Sequence, residues 1–216
     1  MVNILSNTNS VINHFIAEIR DAEIQKDSLR FRYNLERLGT LFAFEISKEL
    51  KYETKEVTTS LGIANVPVLE EYPVLATILR AGLPFHQGFL NIFDKSENAF
   101  ISVYRKMHKD RSFSMQVDFS SVPDIEGKVM ILCDTMIATG SSVVMSYKNL
   151  LSHGKPSHTH IVSILASHEG LDFLKKHLPQ QEVTIWLGVI DDELTAQSYV
   201  VPGLGDAGDL AYGRKG

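Results

Sequence analysis

The alternation that runs from Val74 to Ile190 constrains this chain more than any other feature. Short apolar runs at Val74–Leu79, Ala99–Tyr104, Val129–Cys133, Thr159–Leu165 and Val183–Ile190 are separated by helix-like stretches near Leu83–Phe93, Val143–His153 and Gly170–His177. Strands that alternate with helices pair in parallel, because each helix carries the chain back across the sheet. The pattern predicts an α/β fold with a mostly parallel sheet flanked by helices. In open sheets of this kind, ligands bind beyond the carboxyl ends of the strands. With 44% apolar and 22% charged residues over 216 positions, the chain has material for one such core. Residues 1–60 read as a helical N-terminal region. Within it, Ser28–Leu50 sets Leu35, Leu38, Leu41, Phe42 and Ile46 at helical spacing. Arg30, Arg32 and Arg37 fall on other faces and read as a solvated or subunit-facing surface. Thr54–Ile63 reads as an extended excursion ending in Gly62. No internal repeat, low-complexity tract or linker divides the chain.

One of these units carries chemistry. In Val129–Ser142 (VMILCDTMIATGSS) a buried-strand pattern runs into Asp134, then a small hydroxyl-rich turn, then a helix. Backbone N–H groups at such a turn converge on an anion, and the helix dipole favours negative charge there. Thr139, Ser141 and Ser142 add hydroxyl donors, and Gly140 lets the backbone approach a bulky phosphate. Asp134 stands where it can face a sugar hydroxyl or a divalent metal. No lysine follows Gly140, so this is not the nucleotide-triphosphate loop. Three spaced glycines are absent, so it is not the dinucleotide fingerprint either.

The segment from Asp134 to Ser142 resembles the phosphoribosyl-diphosphate (PRPP) motif of the type I phosphoribosyltransferases. It is most similar to the uracil phosphoribosyltransferase version, which usually reads DPMLATGGS. ILRAGLPF, Ile78–Phe85, is similar to that family's first diphosphate loop. VPGLGDAGD, Val201–Asp209, is similar to its uracil-recognition hood, and Tyr104-Arg105 stands where the family has YR before a flap. The motifs keep the family's order from about Val74 to Gly213. Thr135 replaces the family's proline, Ser141 its second glycine, and Leu210 an Arg or Lys. Lys106, Met107, His108 and Lys109 replace its acidic flank.

The resemblance implies the type I phosphoribosyltransferase fold as a single domain over residues 1–216. That fold would have a β-hairpin flap at about 105–123 and a C-terminal hood at about 191–216. It implies the reaction of uracil with PRPP to give UMP and diphosphate, with Mg²⁺ carried by PRPP and no protein metal ligand assigned. Arg80, Asp134 and Asp206 are the catalytic residues implied. PRPP would be held by Arg80, Arg105, Asp134, Thr135, Met136, Ile137, Ala138, Thr139, Gly140, Ser141, Ser142 and Asp206. Uracil would be read by Val200, Gly205, Asp206 and Ala207. Relatives bring GTP into view as an effector, and a homodimer or higher homo-oligomer as the assembly.

Other features set limits. The net charge of −5 gives no basic field for nucleic acid. No apolar run reaches a membrane span of roughly 18 residues, and no secretory signal opens the chain. A cytoplasmic protein with neither nucleic-acid nor membrane partners is expected. The single cysteine, Cys133, sits in a buried-strand pattern and reads as core filler. His153, His158 and His160 lack acidic or cysteine companions and read as surface or capping residues. His86 faces either core or cleft. Asp191, Asp192 and Glu193 read as capping or solvated. Two rivals stay open: a phosphoribosyltransferase for another base, and a pyrimidine-nucleotide-sensing RNA-binding regulator on the same fold.

Overall fold

A computed structural model describes the backbone of residues 1–107 and 113–214, with the side chains of 105–115 outside the description. The central sheet is built from β1 (Val2–Ile4), β4 (Val74–Leu79), β5 (Asn98–Met107), β6 (Phe113–Ser121), β7 (Val129–Ile137), β8 (His158–Ser167) and β9 (Val183–Asp191). Its seven strands lie in the order β1-β9-β8-β7-β4-β5-β6. Every neighbouring pair is parallel except β5 with β6. The expected mostly parallel sheet is therefore present, and the polar stretch after Tyr104 forms the return strand of an antiparallel hairpin. Residues 108–112, His108 and Lys109 among them, lie outside the described residues.

Strand order fixes where a ligand can enter. From β4 the chain moves outward to β5 and β6, then crosses back to place β7 on the other side of β4. The following crossovers leave β4 and β7 in opposite directions, so their carboxyl ends open a crevice at the switch point.

Helices cover both faces. Packed on one are α1 (Val11–Arg20), α2 (Ser28–Ser47) and α3 (Gly82–Leu90), and on the other α4 (Ser141–Leu150) and α5 (His168–His177). The stripe of α2 buries Leu35, Leu38, Phe42 and Ile46 completely, and each such side chain contributes about 1.5–3 kcal/mol of transfer free energy. Phe42 and Phe85 meet edge-on at 5.3 Å, which seats α3 against α2. Asp27 caps α2 by accepting from Leu29 N (3.0 Å) and Arg30 N (3.1 Å).

The helical N-terminal region needs correction at both ends. Val2–Ile4 is an edge strand beside β9. The excursion after the helices is one strand of an antiparallel ribbon, β2 (Tyr52–Thr58) with β3 (Ile63–Leu69), and Gly62 lies in its turn. Two-residue strands β10 (Glu193–Leu194) and β11 (Val200–Val201) pair near the C-terminus, followed by α6 (Ala207–Tyr212).

Candidate active site

Two loops meet at the crevice. Arg80 and Ala81 follow β4 directly and, with Asp134 and Ser142 from β7 and α4 and with Asp206 and Gly208 from the C-terminal segment, line a polar cleft of about 180 Å³. An adjoining recess of about 80 Å³ is lined by Asp134, Met136, Ile137, Ala138, Thr139, Gly140, Ser142 and Val143. Asp134 and Ser142 border both.

The recess has the features of an anion cradle. Gly140 takes φ +77° at the start of α4 and offers no side chain to cap it, and the Ser141 N–H reaches Thr139 Oγ1 at 3.4 Å. The first-turn N–H groups have no intrahelical acceptor, so they suit an anion. A Cβ on Gly140 would also lie 2.9 Å from Gly170 O, so both backbone conformation and space call for glycine. Ser141 keeps a negative φ, so replacing the family's second glycine brings no left-handed strain. Its hydroxyl accepts from Thr139 Oγ1 at 3.1 Å. Ser167, which the sequence reading missed, buttresses the loop: its Oγ donates to Ala138 O (2.6 Å) and accepts from Gly170 N (2.8 Å).

The strand does not stop at Cys133. It continues to Ile137, pairing Asp134 with Ser163, Met136 with Leu165 and Ile137 with Ala166. Thr135 and Ile137 are buried, at 2% and 1% exposure, and of the two Ile137 borders the recess. Thr135 instead uses the N–H that a proline would lack, donating to Asp134 Oδ1 at 2.8 Å. Desolvation pushes the Asp134 carboxyl up to about 7, against the pull of the Thr135 and Met136 N–H groups.

Arg80 is held by the C-terminal segment. Its Nη2 pairs with Asp209 Oδ1 at 2.9 Å and its Nη1 donates to Gly213 O at 3.2 Å, while its buried Nε has no partner. Asp209 was missed in sequence although it stands within the hood motif. Asp206 caps α6, its Oδ1 accepting from Asp209 N at 2.9 Å, and its exposed carboxylate borders the cleft. A side chain on Gly208 would crowd Asp206 Oδ1 (3.2 Å) and Arg80 Nη2 (3.3 Å). Val200 and Ala207 are buried and Gly205 is exposed; none of the three lines the cleft. The Arg105 side chain lies outside the described residues.

The charged and histidine clusters sort differently from expectation. His160 is buried and accepts from Trp186 Nε1 at 3.0 Å, and burial takes its imidazole down to about 4. His158 packs beside it and bonds Thr184 Oγ1 at 2.9 Å. These two belong to the sheet rather than to surface or cap. His86 is buried, which lowers its pKa, and it lines a pocket between α2 and α3 rather than the cleft. Burial likewise raises the Cys133 thiol well above its ordinary value. Asp191 is neither cap nor solvated, but 5% exposed and paired with Arg20. Arg32 is not simply solvated, since its Nη1 donates to Ala211 O at 2.7 Å. Among the described residues no group of three or more His, Cys, Asp or Glu is arranged to hold a metal, and no helix is long and apolar enough to cross a membrane.

The family pattern described as uracil phosphoribosyltransferase matches residues 6–214. The chain belongs to the uracil phosphoribosyltransferase family. A uracil phosphoribosyltransferase of Porphyromonas gingivalis is 52% identical over 96% of this chain and 95% of its own length. One from Methanothermobacter thermautotrophicus is 33% identical over 95% and 93% respectively. A solved protein from Aquifex aeolicus superposes with a TM-score of 0.86 at 29% identity, over 99% of this chain and 98% of that one. A hypoxanthine phosphoribosyltransferase from Staphylococcus aureus shares the fold alone, at TM-score 0.51 and 13% identity over 87% and 84% of the two chains.

Proposed function

We propose that the chain joins uracil to PRPP, giving UMP and diphosphate. In this reading residues 1–216 act as one phosphoribosyltransferase unit, with 105–123 as flap and 191–216 as hood. The observation that carries it is the convergence of Arg80, Asp134, Ser142 and Asp206 on one polar cleft at the switch point, in a chain of this family.

The bond from the anomeric carbon to diphosphate breaks and diphosphate leaves with the electron pair. Uracil N1 sheds its proton and supplies the new bond. Charge grows on the leaving group and on an oxocarbenium-like ribose, so catalysis rests on electrostatic complementarity and positioning. Arg80 grips the diphosphate with its planar fork, exchanging Asp209 and Gly213 O for phosphate oxygens. Ala138–Ser142 wraps the sugar's terminal phosphate with main-chain N–H groups. Asp134 faces the ribose; positive charge developing there favours its ionised form. Main chain of Val200–Ala207 reads uracil, and a pocket paired with uracil's carbonyls rejects cytosine, whose amino group would be left without an acceptor.

Phosphoribosyltransferases generally use Mg²⁺ with PRPP. The donor set fits such an ion, because Asp134 and Asp206 offer carboxylate oxygens at the cleft. Phosphate oxygens and water would complete its shell. When bound, Mg²⁺ supplies neutralisation of the diphosphate charge.

Leu29 and Tyr33, exposed one turn apart on α2 and lining one pocket, support a homo-oligomer. The free, buried Cys133 is in keeping with a cytoplasmic setting. The test is diphosphate release by the purified protein supplied with PRPP and Mg²⁺. Release should require uracil and stop on chelation. Release that is independent of uracil would refute the reading.

A further inference from the structure

The hood hangs from the sheet by very little main-chain pairing. Among the described residues its two short strands pair only with each other, Glu193 with Val201 and Leu194 with Val200. Beyond them Gly203 takes φ +57°, and Gly205 takes φ +94°. A Cβ on Gly203 would collide with Val200 O, so this turn closes only on glycine. A segment with such backbone freedom reads a base accurately only if something outside it fixes its position.

That anchor comes from the N-terminal helix. Arg20, the last residue of α1, makes a bidentate pair with Asp191 at the end of β9: Nη2 to Oδ1 at 2.7 Å and Nη1 to Oδ2 at 3.0 Å. Asp191 Oδ2 also accepts from Gly203 N at 2.9 Å, and Arg20 Nη1 reaches Gly203 O at 3.5 Å. Both polar groups of Gly203 are thus engaged by one ion pair. The pair is largely out of water, with side-chain exposures of 21% for Arg20 and 6% for Asp191. Gln25, with its amide nitrogen turned inward, donates to Leu204 O (2.8 Å) and Ile19 O (3.1 Å), extending the tie by one residue. None of these groups lines the cleft.

We propose that Arg20, acting through Asp191, is a positioning residue for base recognition, holding Gly203 so that the neighbouring main chain presents its donors and acceptors to uracil. The inference rests on the reading of Val200–Ala207 as the uracil-binding segment. It deepens that reading by assigning the accuracy of the base pocket to the far N-terminal helix. A planar fork suits the role because it fixes both carboxylate oxygens at once, which a lysine does not.

The experiment is steady-state kinetics of Arg20→Ala, Arg20→Lys and Asp191→Asn with each substrate varied in turn, alongside thermal melting. We expect KM for uracil to rise roughly 10- to 100-fold, the scale for a misplacement of about 1 Å in a binding group. KM for PRPP, and kcat at saturating uracil, should stay within about threefold, as expected when mainly uniform binding of the base is lost. Arg20→Lys should fall short of wild type, and millimolar ethylguanidinium should restore uracil affinity to Arg20→Ala. A merely structural role lowers melting temperature and active fraction while leaving both KM values unchanged, and that result overturns the proposal. Parallel rises in both KM values overturn it as well. Should Arg20→Ala not fold, Arg20→Lys and Asp191→Asn supply the same split. A wild type that does not use uracil overturns this inference together with the functional reading. A wild type that does, with variants of unchanged uracil KM, overturns this inference alone.

Discussion

Replacing Asp206 by Asn separates charge from shape at the point where the hood meets the cleft. Asp206 Oδ1 caps α6 through Asp209 N at 2.9 Å, and Asp209 in turn pairs with Arg80 at 2.9 Å. Asn caps a helix about as well as Asp, so Asp206→Asn should leave α6, Asp209 and the position of Arg80 intact. Asp206→Ala removes the cap, costing about 1 kcal/mol and lowering the melting temperature by roughly 2–4 °C for a domain of this size. What Asn removes is the negative charge at the cleft, which the proposed function sets beside the ribose and diphosphate. Losing one preorganised electrostatic group costs on the order of a hundredfold or more in turnover, about 2.7 kcal/mol. The assay is kcat for UMP formation and melting temperature on the same preparations of wild type, Asp206→Asn and Asp206→Ala. We expect wild-type melting with turnover down about a hundredfold for Asn. Wild-type turnover in Asp206→Asn would show that Asp206 serves α6 and not the chemistry.

The remaining predictions address other members of the site and its support. Arg80→Ala should lower kcat by roughly 100- to 1,000-fold while changing KM for uracil far less, since in the proposed function the guanidinium grips a group whose charge grows in the transition state; unchanged turnover would refute the assignment. Thr135→Pro removes the N–H that favours ionised Asp134, so the acid limb of the kcat/KM profile should move up by about one pH unit, and an unmoved limb would contradict this role. Thr135 has no partner in the ladders on either side, so proline is compatible with the strand. Buried His160 titrates near 4 rather than 6.5, so protons favour the unfolded chain. Its contribution is complete above about 6.5 and lost as pH falls to about 4, leaving wild type about 3 kcal/mol less stable relative to His160→Gln across that interval. Comparing the two proteins by denaturant titration cancels the opposite trend of Asp134, and parallel curves would contradict the burial argument.

Much of the fold could be read from the sequence because buried parallel strands and amphipathic helices write their periods directly into the chain. The loop that lines the recess was legible too, since Gly140 and its hydroxyl neighbours are adjacent in sequence. Legibility failed where partners are distant. Arg20 and Asp191 are separated by 171 positions, and nothing in either neighbourhood announces the pair. Arg32 looked like a solvated charge because its acceptor, Ala211 O, lies 179 positions away. His158 was misread because its strand starts one residue before the apolar run, and His160, inside that run, because a histidine satisfied by Trp186 carries no local signal. The strand was cut short at Cys133 because a carboxylate usually marks a strand end, whereas Asp134 here stays paired beside β8.

The most direct measurement is a competition for one limiting pool of PRPP. The purified protein is given Mg²⁺ with uracil, cytosine, orotate and hypoxanthine at equal concentration, and the nucleotides formed are identified by mass spectrometry. UMP as the dominant product, absent when Asp134 is changed to Ala, is the predicted result. Faster formation of the orotate or hypoxanthine nucleotide would contradict it.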